Sequence, residues 1–172
     1  IKKDLIAASI LEIGPGHGLF SFYSINKLKK LTHFTAVDIS KTSLNLTINF
    51  IKSLISKNKL IDYEFIEGDF LKIKQNKKKY DLIVCGEVLE HVKNPNKLLN
   101  NINVFLNKNG KVFISTCINC PAIDHVNQFN KVEDITKLFK KSKFKIISQK
   151  ILPVEKVNYT NALKKKITIN CS

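Results

Sequence analysis

The stretch Leu11-Glu12-Ile13-Gly14-Pro15-Gly16-His17-Gly18 runs an apolar segment straight into three alternating glycines. Ile10 to Ile13 read as a short buried strand carrying one acid, since a brief apolar run closed by a turn signal suits a strand covered on both faces. Glycine accepts backbone conformations that other residues resist and lets the chain approach a ligand that a Cβ would hold off, so Gly14, Gly16 and Gly18 predict a sharp turn. Beyond it, Leu19, Phe20, Tyr23, Leu28 and Leu31 fit a helix over 19–31 whose N-terminus faces the turn. Strand, glycine loop and helix in that order point to a nucleotide-like ligand. The dinucleotide fingerprint G-x-G-x-x-G fails, because position 19 is leucine. What stands instead is G-x-G-x-G preceded by Glu12, and an acid beside the loop suits a cationic ligand better than a pyrophosphate.

Downstream, strands alternate with helical patterns. His33 to Val37 reads as a second strand ending in Asp38, an acid placed to accept hydrogen bonds from the ribose hydroxyls of an adenosine, or to cap the helix that starts near Ser40 and Lys41. Leu44, Ile48, Ile51 and Ile55 recur at helical spacing, with Asn58 as a stop. Ile61 to Glu67 alternates into a third strand, followed by the polar turn Gly68-Asp69-Phe70. Tyr80 to Cys85 is a continuous apolar run suited to a central parallel strand. After it comes Gly86-Glu87-Val88-Leu89-Glu90-His91-Val92. A helical turn and a half over 87–92 would set Glu87, Glu90 and His91 on one face, a group able to hold a divalent metal or to act as acid and base. Asn94 and Pro95 read as cap and first residue of a helix carrying Leu98, Leu99, Ile102 and Leu106 inward, stopped by Asn109-Gly110. Lys111 to Thr116 is a fifth strand, and the irregular segment 117–127, with Asp124 and His125, follows its carboxyl end, where open α/β sheets place their ligands. Val132 to Phe139 makes a last helix; Phe144 to Val154 and Lys166 to Ile169 are expected as a closing, antiparallel pair of strands.

The 172 residues suit one domain over 1–172. The chain starts on Ile1 with a polar turn, which reads as a trimmed N-terminus lacking any substrate-covering helices. No apolar run is long enough for a membrane span, and no leader pattern is visible. The formal charge is +15, yet all 29 basic residues are lysine, and without arginine's bidentate fork a dedicated nucleic-acid reader is disfavoured. The four cysteines, Cys85, Cys117, Cys120 and Cys171, have no disulfide-framework spacing, which fits a reduced, cytoplasmic protein. The lone Cys117-x-x-Cys120 has no second pair and does not predict a structural zinc site.

The G-x-G-x-G loop with its preceding acid resembles the first motif of class I S-adenosylmethionine-dependent methyltransferases, and the resemblance extends over nearly the whole chain. It implies an α/β, Rossmann-like fold: a mostly parallel seven-stranded sheet with helices on both faces. It also implies that Glu12, Gly14, Gly16, Gly18, Asp38, Ile39, Asp69 and Phe70 bind S-adenosyl-L-methionine, with Asp69 at the adenine amino group and Phe70 against the ring. The Glu87-Val88-Leu89-Glu90-His91-Val92 segment is similar to that of ubiquinone-pathway O-methyltransferases and small-RNA 2'-O-methyltransferases. That likeness implies Glu87, Glu90, His91 and His125 as ligands of Mg2+ or another divalent metal, with His91 and His125 as catalytic residues. The expectation is O-methylation of a small-molecule or sugar-like acceptor. The alternatives are an RNA 2'-O-methyltransferase and a non-catalytic interaction protein on the same fold.

Overall fold

The computed structural model describes residues 6–54, 60–74 and 78–152. Five strands, β1 (Ser9–Ile13), β2 (His33–Asp38), β3 (Asp62–Glu67), β4 (Tyr80–Gly86) and β5 (Leu106–Ser115), form one sheet in the order β3-β2-β1-β4-β5. Every pairing is parallel. Helices α1 (Leu19–Lys27) and α2 (Lys41–Leu54) connect the first three strands, and α3 (Pro95–Phe105) and α4 (Val132–Lys141) follow β4 and β5. Among the described residues no helix is long and apolar enough to cross a membrane.

Successive strand residues divide between two cores, as the strand period of two requires. Ile10, Phe34, Ala36, Leu82 and Val84 pack with Ile25 of α1 and Leu44 and Ile51 of α2. Leu11, Ile13, Val37, Ile83 and Cys85 pack with Leu98, Leu99, Ile102 and Phe105 of α3. Both faces of β1, β2 and β4 are thereby covered, which is why these strands carry near-continuous apolar runs. Asn94 caps α3 by accepting a bond from the Lys97 amide at 3.0 Å, with Pro95 at the first helical position where no donor is needed.

The strand order turns at β1: β2 and β3 lie on one side of it, β4 and β5 on the other. At such a reversal open α/β sheets hold their ligand, in the crevice outside the carboxyl ends of the strands.

The structure departs from the sequence reading in four places. Helix α1 ends at Lys27, and Leu28 turns to extended backbone so that it and Leu31 fill the core under α1 and α2. Helix α3 ends at Phe105 and β5 starts at once with Leu106 paired to Tyr80; Asn109-Gly110 lies inside that strand at a register shift. A Cβ on Gly110 would sit 2.9 Å from the Tyr80 carbonyl, so glycine there serves a close approach of two strands. Residues 87–92 form only a short 3-10 turn, Leu89–His91. Finally, the sheet has five described strands where seven are expected. Residues 144–152 carry no strand, because Ile147, Ile151 and Leu152 are exposed and no partner edge meets them among the described residues. The partner segment Lys166 to Ile169 lies outside the described residues.

Candidate active site

The glycine loop has the left-handed backbone its residues predict, with φ of +65°, +57° and +79° at Gly14, Gly16 and Gly18. The three glycines meet different surroundings. A Cβ on Gly14 would lie 2.7 Å from Val88 Cγ2, so this residue lets the loop after β1 touch the loop after β4. A Cβ on Gly18 would press on the Thr47 backbone of α2 at 3.0 Å. Gly16 faces open space, where a ligand can approach the main chain. The loop is pinned by the Gly14 amide donating to the Val37 carbonyl at 2.9 Å and by Thr47 Oγ1 donating to the Gly16 carbonyl at 3.0 Å. His17 is exposed at the tip.

Glu12 does not face the loop. Its strand position turns it under α1, where it is 3% exposed and accepts a hydrogen bond from the Ser21 hydroxyl. Burial pushes its carboxyl up to about 7, only partly offset by the Ser21 bond. At the end of β2, Asp38 Oδ1 accepts from the Ser40 amide at 2.8 Å, which orients the carboxylate; Oδ2 makes no hydrogen bond among the described residues. Ile39 beside it is 76% exposed, an apolar surface at the carboxyl edge of the sheet. The loops after β2 and β3 are joined by the Gly68 amide donating to the Asp38 carbonyl at 2.8 Å. Asp69 Oδ1 caps the following 3-10 turn through the Leu71 amide at 2.9 Å. Phe70 is 5% exposed, its ring 5.2 Å from that of Phe105 in the α3-side core. Its ring is thus engaged by protein, and Ile39 is the exposed apolar group at this edge.

On the other side of the crevice, the loop after β5 folds back over the turn after β4. The Val126 and Asn127 amides both donate to the Glu90 carbonyl at 2.9 Å, and the Asn127 side chain donates to the Val92 carbonyl. Glu87 has φ +50°, an unfavourable conformation for a residue with a Cβ, and breaks the helical register between itself and Glu90. Glu90 is buried, while Glu87 and His91 are exposed, so the three do not share one helical face. The carboxyls of Glu87 and Glu90 nevertheless meet, and burial followed by the contact with Glu87 holds Glu90 above the usual carboxylate range, against the bond that Thr116 Oγ1 donates at 2.8 Å.

The fold brings His125 to this place, as its position after β5 predicts. Ligand atoms of Glu90, Cys117 and His125 lie within 4.8 Å of one another, and so do those of His91, Asp124 and His125. Glu87 joins neither group. The His91 and His125 rings meet edge to face with centroids 4.9 Å apart. Each histidine donates Nδ1–H to a backbone carbonyl, His91 to Asp124 at 3.1 Å and His125 to Cys120 at 2.7 Å, since a carbonyl can only accept. That leaves each Nε2 with its lone pair, available to a metal or a proton. Cys117, the member that sequence spacing missed, has its thiol pushed up to about 12, chiefly by burial and then by the Glu90 carboxylate. Its signal was its place, two residues past the end of β5.

The profile of a methyltransferase-domain family matches residues 6–168. The chain belongs to the class I S-adenosylmethionine-dependent methyltransferases. A ubiquinone biosynthesis O-methyltransferase of Pelagibacter ubique is 34% identical over 116 residues, which cover 66% of this chain and 44% of that protein. The chain thus spans less than half the length of that relative. PKMT2 from Rickettsia typhi, solved in complex with AdoHcy, is 29% identical with a TM-score of 0.52, over 62% of this chain and 20% of that one. The N-methyltransferase NodS from Bradyrhizobium japonicum has a TM-score of 0.62 over 78% of this chain and 72% of that one; at 21% identity this likeness shows the fold alone.

Proposed function

We propose that this chain binds S-adenosylmethionine across the carboxyl ends of β1, β2 and β3 and methylates an oxygen of a small molecule held at the ends of β4 and β5. The observation that carries this reading is the contact between the two half-sites: Gly14 lies against Val88, so a ligand on the glycine loop adjoins the turn bearing Glu90 and His91. Oxygen as the accepting atom is supported by the ubiquinone biosynthesis O-methyltransferase likeness. An acceptor with neighbouring oxygens, which an ion at the Glu90 turn could hold, is the first probe.

In this reading Asp38 accepts from the ribose hydroxyls through Oδ2, while Ile39 and the Asp69 turn flank the adenine. The open space at Gly16 admits the amino-acid end of the cofactor against the main chain. When bound, the cofactor supplies a methyl group activated by a sulfonium. A neutral hydroxyl is a poor nucleophile, so a group must take its proton as the oxygen attacks. His91, exposed and with Nε2 free to accept, does this directly, an effect worth roughly 10² to 10⁴ in rate. A divalent ion held by Glu90, His125 and their neighbours would add Lewis acidity and fix the line of attack.

Titration with S-adenosylhomocysteine tests the cofactor half. Asp38→Ala is expected to weaken binding about 30-fold, since losing a charged hydrogen-bond partner costs about 2 kcal/mol. Unchanged affinity in that variant would sink the assignment.

A further inference from the structure

We propose that the cluster after β4 and β5 takes a thiophilic divalent ion of the zinc and cobalt class, with Glu90, Cys117 and His125 as its ligands. The proposal deepens the metal-assisted reading above and rests on it; the set implied by resemblance, Glu87, Glu90, His91 and His125, contains no sulfur and admits magnesium.

Three features of the structure carry it. The first is distance. A tetrahedral ion bonded to sulfur and nitrogen at about 2.0–2.3 Å holds its ligand atoms roughly 3.4–3.6 Å apart. The Cys117 thiol lies against the His125 imidazole, Sγ 3.8 Å from Nδ1, and one ligand atom from each of the three residues falls within 4.8 Å of the others. The second is the support behind each ligand. The Cys120 carbonyl accepts the Nδ1 proton of His125 and turns Nε2 outward as a donor. Thr116 Oγ1 donates to one oxygen of Glu90 at 2.8 Å and orients the carboxyl, and the Val126 and Asn127 amides fix the Glu90 main chain. The third is the donor set. Glu87 stands outside the group, and a thiol stands inside it. A thiolate selects zinc-like ions, whereas magnesium requires near-octahedral oxygen coordination.

The Cys117-x-x-Cys120 motif thereby finds a use that a four-cysteine site does not describe: one cysteine supplies sulfur, the other a carbonyl that sets the histidine tautomer. On binding, the Cys117 proton passes to solvent and the sulfur keeps the electron pair that forms the metal bond. Three protein ligands leave a fourth position, as catalytic zinc sites do, and His91 and Asp124 line the cluster beside it.

The test is a Co2+ titration of the metal-stripped full chain, followed by absorption. The expected result is one equivalent bound with visible bands of a four-coordinate ion and a near-ultraviolet sulfur-to-cobalt charge-transfer band. Zn2+ should displace it and excess Mg2+ should not. Cys117→Ser should abolish the charge-transfer band while its circular dichroism and S-adenosylhomocysteine affinity stay those of the parent; Cys171→Ser should retain the band. His125→Gln should weaken Co2+ at least about tenfold. Cobalt bound without the charge-transfer band, or readily displaced by Mg2+, would overturn the thiolate assignment and leave metal assistance standing. No Co2+ binding, with S-adenosylhomocysteine still bound, would overturn both metal statements and leave the cofactor site intact.

Discussion

The two sides of the crevice are built in different ways. The side at β1, β2 and β3 is set by local backbone conformation: three glycines with positive φ, an acid closing β2, and a capped turn after β3. The side at β4 and β5 is assembled from residues far apart in sequence, with Glu90, Cys117 and His125 gathered by main-chain bonds from 126 and 127 onto Glu90. A half-site made of backbone geometry depends on a few residue types that nothing else can replace. A half-site made of converging side chains can change its chemistry by one substitution, and here a cysteine has entered it.

If the two sides are separable, damage to one should leave the other measurable. The largest effect is expected from His91→Gln, which should lower turnover on an acceptor with neighbouring hydroxyls about 10² to 10⁴-fold and leave S-adenosylhomocysteine affinity within about twofold. Equal loss of both would mean that the halves fold as one unit.

Next comes the buried acid behind the glycine loop. Glu12 titrates at about 7 in the folded chain against 4.5 for a free carboxyl. The folded state therefore keeps a proton that the unfolded state gives up, so stability is full below pH 4.5 and falls as pH rises to 7. Glu12→Gln should flatten that slope and stabilise the free protein by up to about 3 kcal/mol near pH ~8. Denaturant unfolding of both proteins across this range checks it, and a parallel pH dependence in the two would refute the burial argument.

Gly16→Val places a side chain at φ +57° where nothing stands within 4 Å. The backbone strain should cost about 1–2 kcal/mol of stability, with a further loss of cofactor affinity from the blocked approach. A stability loss with no change in affinity would place the ligand elsewhere. The smallest effect should come from Asn94→Ala, which removes the α3 cap for about 1 kcal/mol and alters neither half-site. Its melting temperature and its S-adenosylhomocysteine affinity together serve as the control.

The legibility of the sequence follows the same division. The glycines, Asp38 and the apolar runs of β1, β2 and β4 could be read because each reports a local requirement. The residues of 87–92 have helical spacing, but the left-handed backbone at Glu87 and the 3-10 turn that follows depend on bonds to Ser115 and to the β5 loop, which spacing does not report. The segment after α4 has strand-like apolar residues, but a strand exists only with a partner edge. Phe70 had the right position for the adenine and the wrong surroundings, since Phe105 draws its ring into the core. Cys117 showed no spacing signal because Glu90 lies on another loop and His125 sits eight residues on along an irregular segment.

The most direct measurement is the titration of S-adenosylhomocysteine into the chain stripped of metal by excess chelator. Two independently built halves give the same affinity with and without chelator, while turnover falls in its presence. Cofactor binding that disappears with the metal would contradict the account.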